Sequence, residues 1–87
     1  MRRWFKGRVL AVEIRGNGDS SWGSIRLDDG YDTSWANCST EYATDIQGRI
    51  KKEPAGVQLE AQTQIAISKG YLRERIIEPR KQDGGAA

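Results

Sequence analysis

The sequence predicts a small all-β fold, about five strands closed into a barrel, with an optional short helix between the third and fourth. Three observations lead there. Apolar and polar residues alternate with a period of two in successive stretches of the chain. Turn-forming clusters separate those stretches: Gly16-Asn17-Gly18-Asp19-Ser20, Asp28-Asp29-Gly30 and Ser68-Lys69-Gly70. And 87 residues make one small domain with little core to spare, so closing the sheet removes edges that few strands would leave exposed.

Trp4 to Arg15 reads as the first strand. Trp4, Lys6, Arg8, Leu10, Val12 and Ile14 alternate with Phe5, Val9, Ala11 and Glu13. Apolar residues fall on both faces, so the strand is expected to bend and change the layer it packs against, with Gly7 permitting the bend. The Gly16–Ser20 turn leads into a hairpin over Ser21–Ser39. On its first strand Trp22, Ser24 and Arg26 share one face, and Gly23, Ile25 and Leu27 the other. Asp28-Asp29-Gly30 supplies the turn, since short carboxylates bond the local backbone and glycine takes positive φ. On the second strand Thr33, Trp35 and Asn37 oppose Ser34, Ala36 and Cys38.

Beyond the hairpin, Ser39 or Thr40 can cap a short helix over Thr40–Ile46, with Tyr42 and Ile46 four apart to seal the barrel from one side. Gly48 is expected to end it, leaving Arg49, Lys51 and Lys52 in a basic loop closed by Pro54. Val57, Leu59, Ala61, Thr63, Ile65 and Ile67 alternate with Gln58, Glu60, Gln62, Gln64 and Ala66. That composition would tolerate a helix, but the period of two favours a strand. The last strand runs from Tyr71 to Glu78, with Leu72 and Ile76 on one face and Tyr71, Arg73, Arg75 and Ile77 on the other, and Pro79 stops it. The domain is expected to span 1–81, with 82–87 a frayed tail.

Composition narrows the function. With 37% hydrophobic and 30% charged residues the chain is expected to fold. No apolar run approaches a membrane span and no signal-like segment follows Arg2-Arg3, so a cytoplasmic protein is expected. One cysteine offers neither a disulfide framework nor a zinc site, and Cys38 reads as a small core residue. No histidine is present, which counts against acid–base or triad chemistry. The Asp28–Asp29 pair reads as a solvated turn. No enzyme, metal or cofactor is expected.

Net charge is +2, a weak argument for a polyanion partner by itself. The distribution says more. Arg2, Arg3, Lys6 and Arg8 crowd the start, and Arg73, Arg75, Arg80 and Lys81 the end. If the first and last strands lie near each other, these join into one basic region. The hairpin sharpens the expectation: one face reads Ile25, Leu27, Ala36, Cys38, a core, and the other Trp22, Ser24, Arg26, Thr33, Trp35, Asn37. Tryptophan, arginine and an amide on a wetted sheet face suit stacking and hydrogen bonding to nucleobases. The competing expectation is that either tryptophan is simply core.

Several segments resemble the cold-shock domain family. These are Lys6-Gly7-Arg8-Val9, Trp22-Gly23-Ser24-Ile25, Asp28-Asp29-Gly30 and Ser34-Trp35-Ala36-Asn37-Cys38-Ser39. That family carries a Gly-x-Val strand, a Lys-Gly-Phe-Gly-Phe-Ile motif, often an Asp-Asp-Gly turn, and a Val-Phe-Val-His-x-Ser motif. From Ser21 to Ser39 the match runs without a gap. Trp22 falls on the leading aromatic of the first motif, Trp35 on the phenylalanine of the second and Asn37 on its histidine. Ser20 and Ser21 replace the leading Lys-Gly, Ser24 replaces the second aromatic, and Thr40–Ser68 needs extra residues. Lys69-Gly70 and the basic last strand are also similar to bacterial translation initiation factor one. Both resemblances imply an oligonucleotide/oligosaccharide-binding (OB) barrel that binds single-stranded RNA or DNA. Bases would stack on Trp22 and Trp35, Asn37 would bond a base edge, and Arg26 would pair with phosphate or stack. Ser24, Lys6 and Arg8 would line the same face, with Lys69 before the last strand. With two platforms instead of a fuller aromatic set, affinity on the order of micromolar is expected, falling steeply with salt.

Two other readings stand beside this one. Small barrels host many functions, and a lost motif aromatic, a lost lysine and near-neutral charge also fit a protein-interaction module. Such a module would be a phage or mobile-element inhibitor or adaptor that binds a host protein. Pairing through strand edges or exposed tryptophan faces would make a small homo-oligomer instead of a monomer.

Overall fold

The long first strand decides the architecture, because a single strand that pairs on both sides can close a sheet. In the computed structural model, which describes residues 1–78, β1 (Arg2–Arg15) pairs through Arg2–Arg8 with β4 (Gln58–Ser68) and through Arg8–Arg15 with β2 (Trp22–Asp28), both antiparallel. With β3 (Thr33–Cys38) and β5 (Tyr71–Ile76) the ring runs β1-β2-β3-β5-β4 and back to β1. The predicted five-stranded, OB-like all-β barrel is what the chain forms.

Gly7 sits at the crossover between the two partners. A β-carbon there would lie 2.1 Å from the Asp28 carbonyl oxygen, so no other residue lets the strands approach this closely. The change of layer expected along β1 occurs further on, at a β-bulge between Val9 and Ala11 that leaves Leu10 out of register. The bulge reverses the alternation. Phe5 and Val9 point inward before it and Val12 after it, while Ala11 joins the outer row opposite Arg26. Leu10 and Val12 therefore do not share a face, as uninterrupted alternation would have placed them.

The hairpin core is as predicted: Ile25, Leu27, Ala36 and Cys38 are buried, with Phe5, Leu59 and Ile76. Its turn extends to Asp32, held by Asp28 Oδ1 accepting from the Gly30 amide at 2.8 Å and Asp29 Oδ1 from the Tyr31 and Asp32 amides at 2.9 Å each. These bonds to the carboxylate hold Asp29 below the usual carboxylate range.

One helix, α1 (Thr40–Lys52), closes the bottom of the barrel. Ser39 Oγ caps it, accepting from the Tyr42 amide at 3.1 Å, and Glu78 grips the cap, accepting from the Ser39 amide at 2.9 Å and hydroxyl at 2.6 Å. Ala43 and Ile46 make the seal, and Tyr42 packs at its flank. Gly23 lets the helix sit against β2, since a β-carbon there would be 2.5 Å from that of Ala43. The helix runs through Gly48, so the basic loop is not formed: Arg49, Lys51 and Lys52 occupy the last helical turn. Glycine costs a helix about 1 kcal/mol, which the Ala43–Ile46 contact and cations at the negative end of the helix dipole outweigh.

β4 and β5 outrun the barrel. They meet in a tight turn with Lys69 at φ +52° and Gly70 at φ +79°, the pattern of a type I′ hairpin. β5 touches β3 through one bridge, Asn37 to Arg75. Among the described residues no opposing layer covers the hairpin's inner face above that point, so Ile67 (76% exposed) and Leu72 (68%) leave the core expected for them, while Ile76 stays in it. The rim is closed by polar groups instead. Arg3 donates to Glu74 through Nε at 2.8 Å and Nη2 at 2.6 Å, and the buried Thr63 hydroxyl donates to Glu74 Oε2 at 2.5 Å. Glu74 in turn raises the Arg3 guanidinium above its ordinary range. β5 ends at Ile76, and Pro79, Arg80, Lys81 and the expected tail lie outside the described residues.

Candidate nucleic-acid interface

Alternation on β2 and β3 sends Trp22, Ser24, Trp35 and Asn37 outward, and antiparallel register puts Ser24 opposite Asn37 and Arg26 opposite Trp35. The two tryptophans are each 42% exposed, so neither is a core residue and part of each side chain remains open to solvent. Between them lies a hollow lined by Arg15, Trp22, Ser24, Trp35 and Asn37. Ser24, 5% exposed, is its floor. It is small enough for the space between the rings to stay open.

Trp35 is flanked by cations. The Arg26 guanidinium lies 5.5 Å from its ring centroid and that of Arg15 5.8 Å, both within cation–π range. Arg15 also donates to the Glu13 carboxylate, which tethers it beside the hollow. Antiparallel pairing across the Gly16–Ser20 turn sets Arg15 opposite Trp22.

A second hollow opens on the other side of Trp35. Because β3 and β5 share one bridge, they part above it, leaving a cleft walled by Trp35, Asn37, Leu72, Arg73 and the Arg3–Glu74 pair. Trp35 and Asn37 border both hollows, so the surface continues from Trp22 across Trp35 to Arg73.

Of the predicted site residues, Trp22, Ser24, Arg26, Trp35 and Asn37 come together here. Lys6 and Arg8 line a separate hollow with Asp28, Asp29 and Gln58, where acidic groups offset them. Lys69 is at the tip of the β4–β5 hairpin. Arg15 and Arg73 were not among the predicted residues. Counting back from the turn would have paired Arg15 with Trp22, whereas no local signal shows that β5 adjoins β3. Trp4, 62% exposed, is on the outer face of β1 beside Tyr42 and Ile77, away from the two-tryptophan face.

Under this face the Cys38 thiol is buried, and burial pushes it up from 9.0 to about 11. It packs as core. Among the described residues no group of three or more metal-binding side chains converges, and no helix is long and apolar enough to cross a membrane. Comparisons with protein-family models, with curated proteins and with solved structures return no match.

Proposed function

We propose that this barrel binds single-stranded nucleic acid, RNA or DNA, across the outer face of β2 and β3. The observation that carries the reading is the pair of half-exposed tryptophans on one face, with Ser24 and Asn37 between them and guanidinium groups alongside. Two bases stack on Trp22 and Trp35. Asn37 presents an amide that both donates and accepts, suited to a base edge. Arg26 and Arg15 meet the phosphates next to the stacked bases, and Arg73 extends that charge into the cleft. The likeness of Trp22–Ile25 and Ser34–Ser39 to the two cold-shock motifs supports the same reading. Ser24 in place of an aromatic removes one stacking surface, so affinity is on the order of micromolar.

The test is intrinsic tryptophan fluorescence titrated with a mixed-sequence single-stranded oligonucleotide at low and high salt. Saturable quenching that salt reverses is expected. No response at low salt would sink the reading. A protein partner is the second reading, favoured by the exposed Ile67, Tyr71 and Leu72 of the β4–β5 hairpin. It calls for a specific protein captured by the wild type and lost with Leu72→Asp, and no oligonucleotide affinity.

A further inference from the structure

The outer surface of the barrel carries a continuous row of polar side chains leading away from the two tryptophans. Asn37 of β3 is in register with Arg75 of β5, Arg75 with Gln64 of β4, and Gln64 with Arg2 of β1. Residues directly opposite in a sheet share a face, so these side chains stand side by side around the wall. Arg75, Gln64 and Arg2 are exposed. Among the described residues neither arginine of the row has an ion-pair partner. Two residues beyond Arg2 stands Trp4, 62% exposed. It walls a hollow with Tyr42, Ala61 and Ile77 as its other apolar surfaces and Glu60 and Gln62 as polar ones. An exposed indole beside carboxylate and amide groups offers a base both a stacking face and edge partners.

We propose that the single strand does not end at the two-tryptophan face but continues over β5 and β4 along Arg75, Gln64 and Arg2, and places a further base on Trp4. This rests on the nucleic-acid reading of that face. The charge pattern selects the occupant: exposed guanidiniums spaced along a path between stacking surfaces fit a phosphate backbone with bases. The path from Asn37 to Arg2 crosses three strand spacings of about 4.8 Å, and Trp4 is two residues further at about 3.3 Å each, roughly 20 Å in all. A strand of about 4 nucleotides therefore covers the two-tryptophan face alone, and one of about 12 reaches Trp4, both within the range one OB barrel accommodates.

The experiment uses the full chain with Trp22→Phe and Trp35→Phe, which keeps stacking surfaces and leaves Trp4 as the reporter among three tryptophans. Mixed-sequence oligonucleotides of about 4 and about 12 nucleotides, end-labelled so that anisotropy reports binding independently, are titrated at low salt. Quenching of Trp4 by the longer strand and not by the shorter one is expected. In the wild type, Arg2→Gln and Arg75→Gln should each flatten the salt dependence of the longer strand by about 0.7 in log–log slope and leave the shorter strand's unchanged. Both residues are exposed, so neither change threatens the fold. If the longer strand binds but Trp4 emission does not move, the path is overturned and the two-tryptophan site stands. Quenching of Trp4 by both lengths would overturn it too, making Trp4 a separate site. If neither strand binds the wild type, the nucleic-acid reading falls and takes the path with it.

Discussion

Replacing Glu74 by alanine tests the polar rim that stands in for core at the open end of the barrel. The carboxylate is 8% exposed and holds three hydrogen bonds, two from Arg3 and one from Thr63. Thr63 is fully buried, and its hydroxyl is otherwise within reach only of the Arg3 carbonyl, at 3.4 Å, too long to replace a 2.5 Å bond. Orphaning a buried hydroxyl costs about 1–3 kcal/mol. Arg3 is 46% exposed, so water takes back its guanidinium and the lost pair adds about 0.5–1 kcal/mol. The expected loss is about 1.5–4 kcal/mol, roughly 6–30 °C in Tm for a domain of this size. Urea denaturation measures it. The double variant Thr63→Val/Glu74→Leu removes both the hydroxyl and its acceptor, and should recover much of the loss. A Glu74→Ala protein within about 0.5 kcal/mol of wild type would refute the reasoning, as would a double variant no more stable than the single one.

Trp35→Ala should weaken oligonucleotide binding by roughly 5- to 150-fold, the equivalent of about 1–3 kcal/mol of stacking, measured by anisotropy at low salt. Its stability loss should be smaller than that of Phe5→Ala, about 3–5 kcal/mol, because Phe5 is fully buried and Trp35 is not. Cys38 should react with a thiol reagent at pH 8 roughly 100-fold more slowly in the folded than in the unfolded chain, since its thiol ionises near 11 instead of 9.0. The same shift makes the folded state favour the protonated thiol, so its contribution is full below pH 9 and is lost as pH rises toward about 11. Ser39→Ala should cost about 0.5–2 kcal/mol through the helix cap, read by thermal melting, and Glu78→Gln should cost less, because its amide oxygen still accepts from the Ser39 amide.

Much of the candidate site was legible beforehand. Alternation over Trp22–Leu27 and Thr33–Cys38 assigns each side chain to a face, because the pleat has a period of two whatever lies beyond the strand. That alone put Trp22, Ser24, Arg26, Trp35 and Asn37 together and buried Ile25, Leu27, Ala36 and Cys38. Lys6 and Arg8 were placed with them only by resemblance. The bulge at Leu10 and the sheet corner at Gly7 carry β1 from one partner to another, and they leave those two side chains in a different hollow.

Local pattern thus determined the strands, their faces and the five-stranded class, since backbone pleat, turn chemistry and the cost of open edges act within a few residues. Three features needed the tertiary structure. α1 continues through Gly48, because burial of Ala43 and Ile46 outweighs one glycine. Leu72 and Ile67 are exposed although their alternation is that of core residues, because the hairpin is longer than the barrel and among the described residues no layer faces its outer end. And Arg73 borders the tryptophan face only because the ring closes as β1-β2-β3-β5-β4, a pairing between strands distant in sequence that no local period encodes.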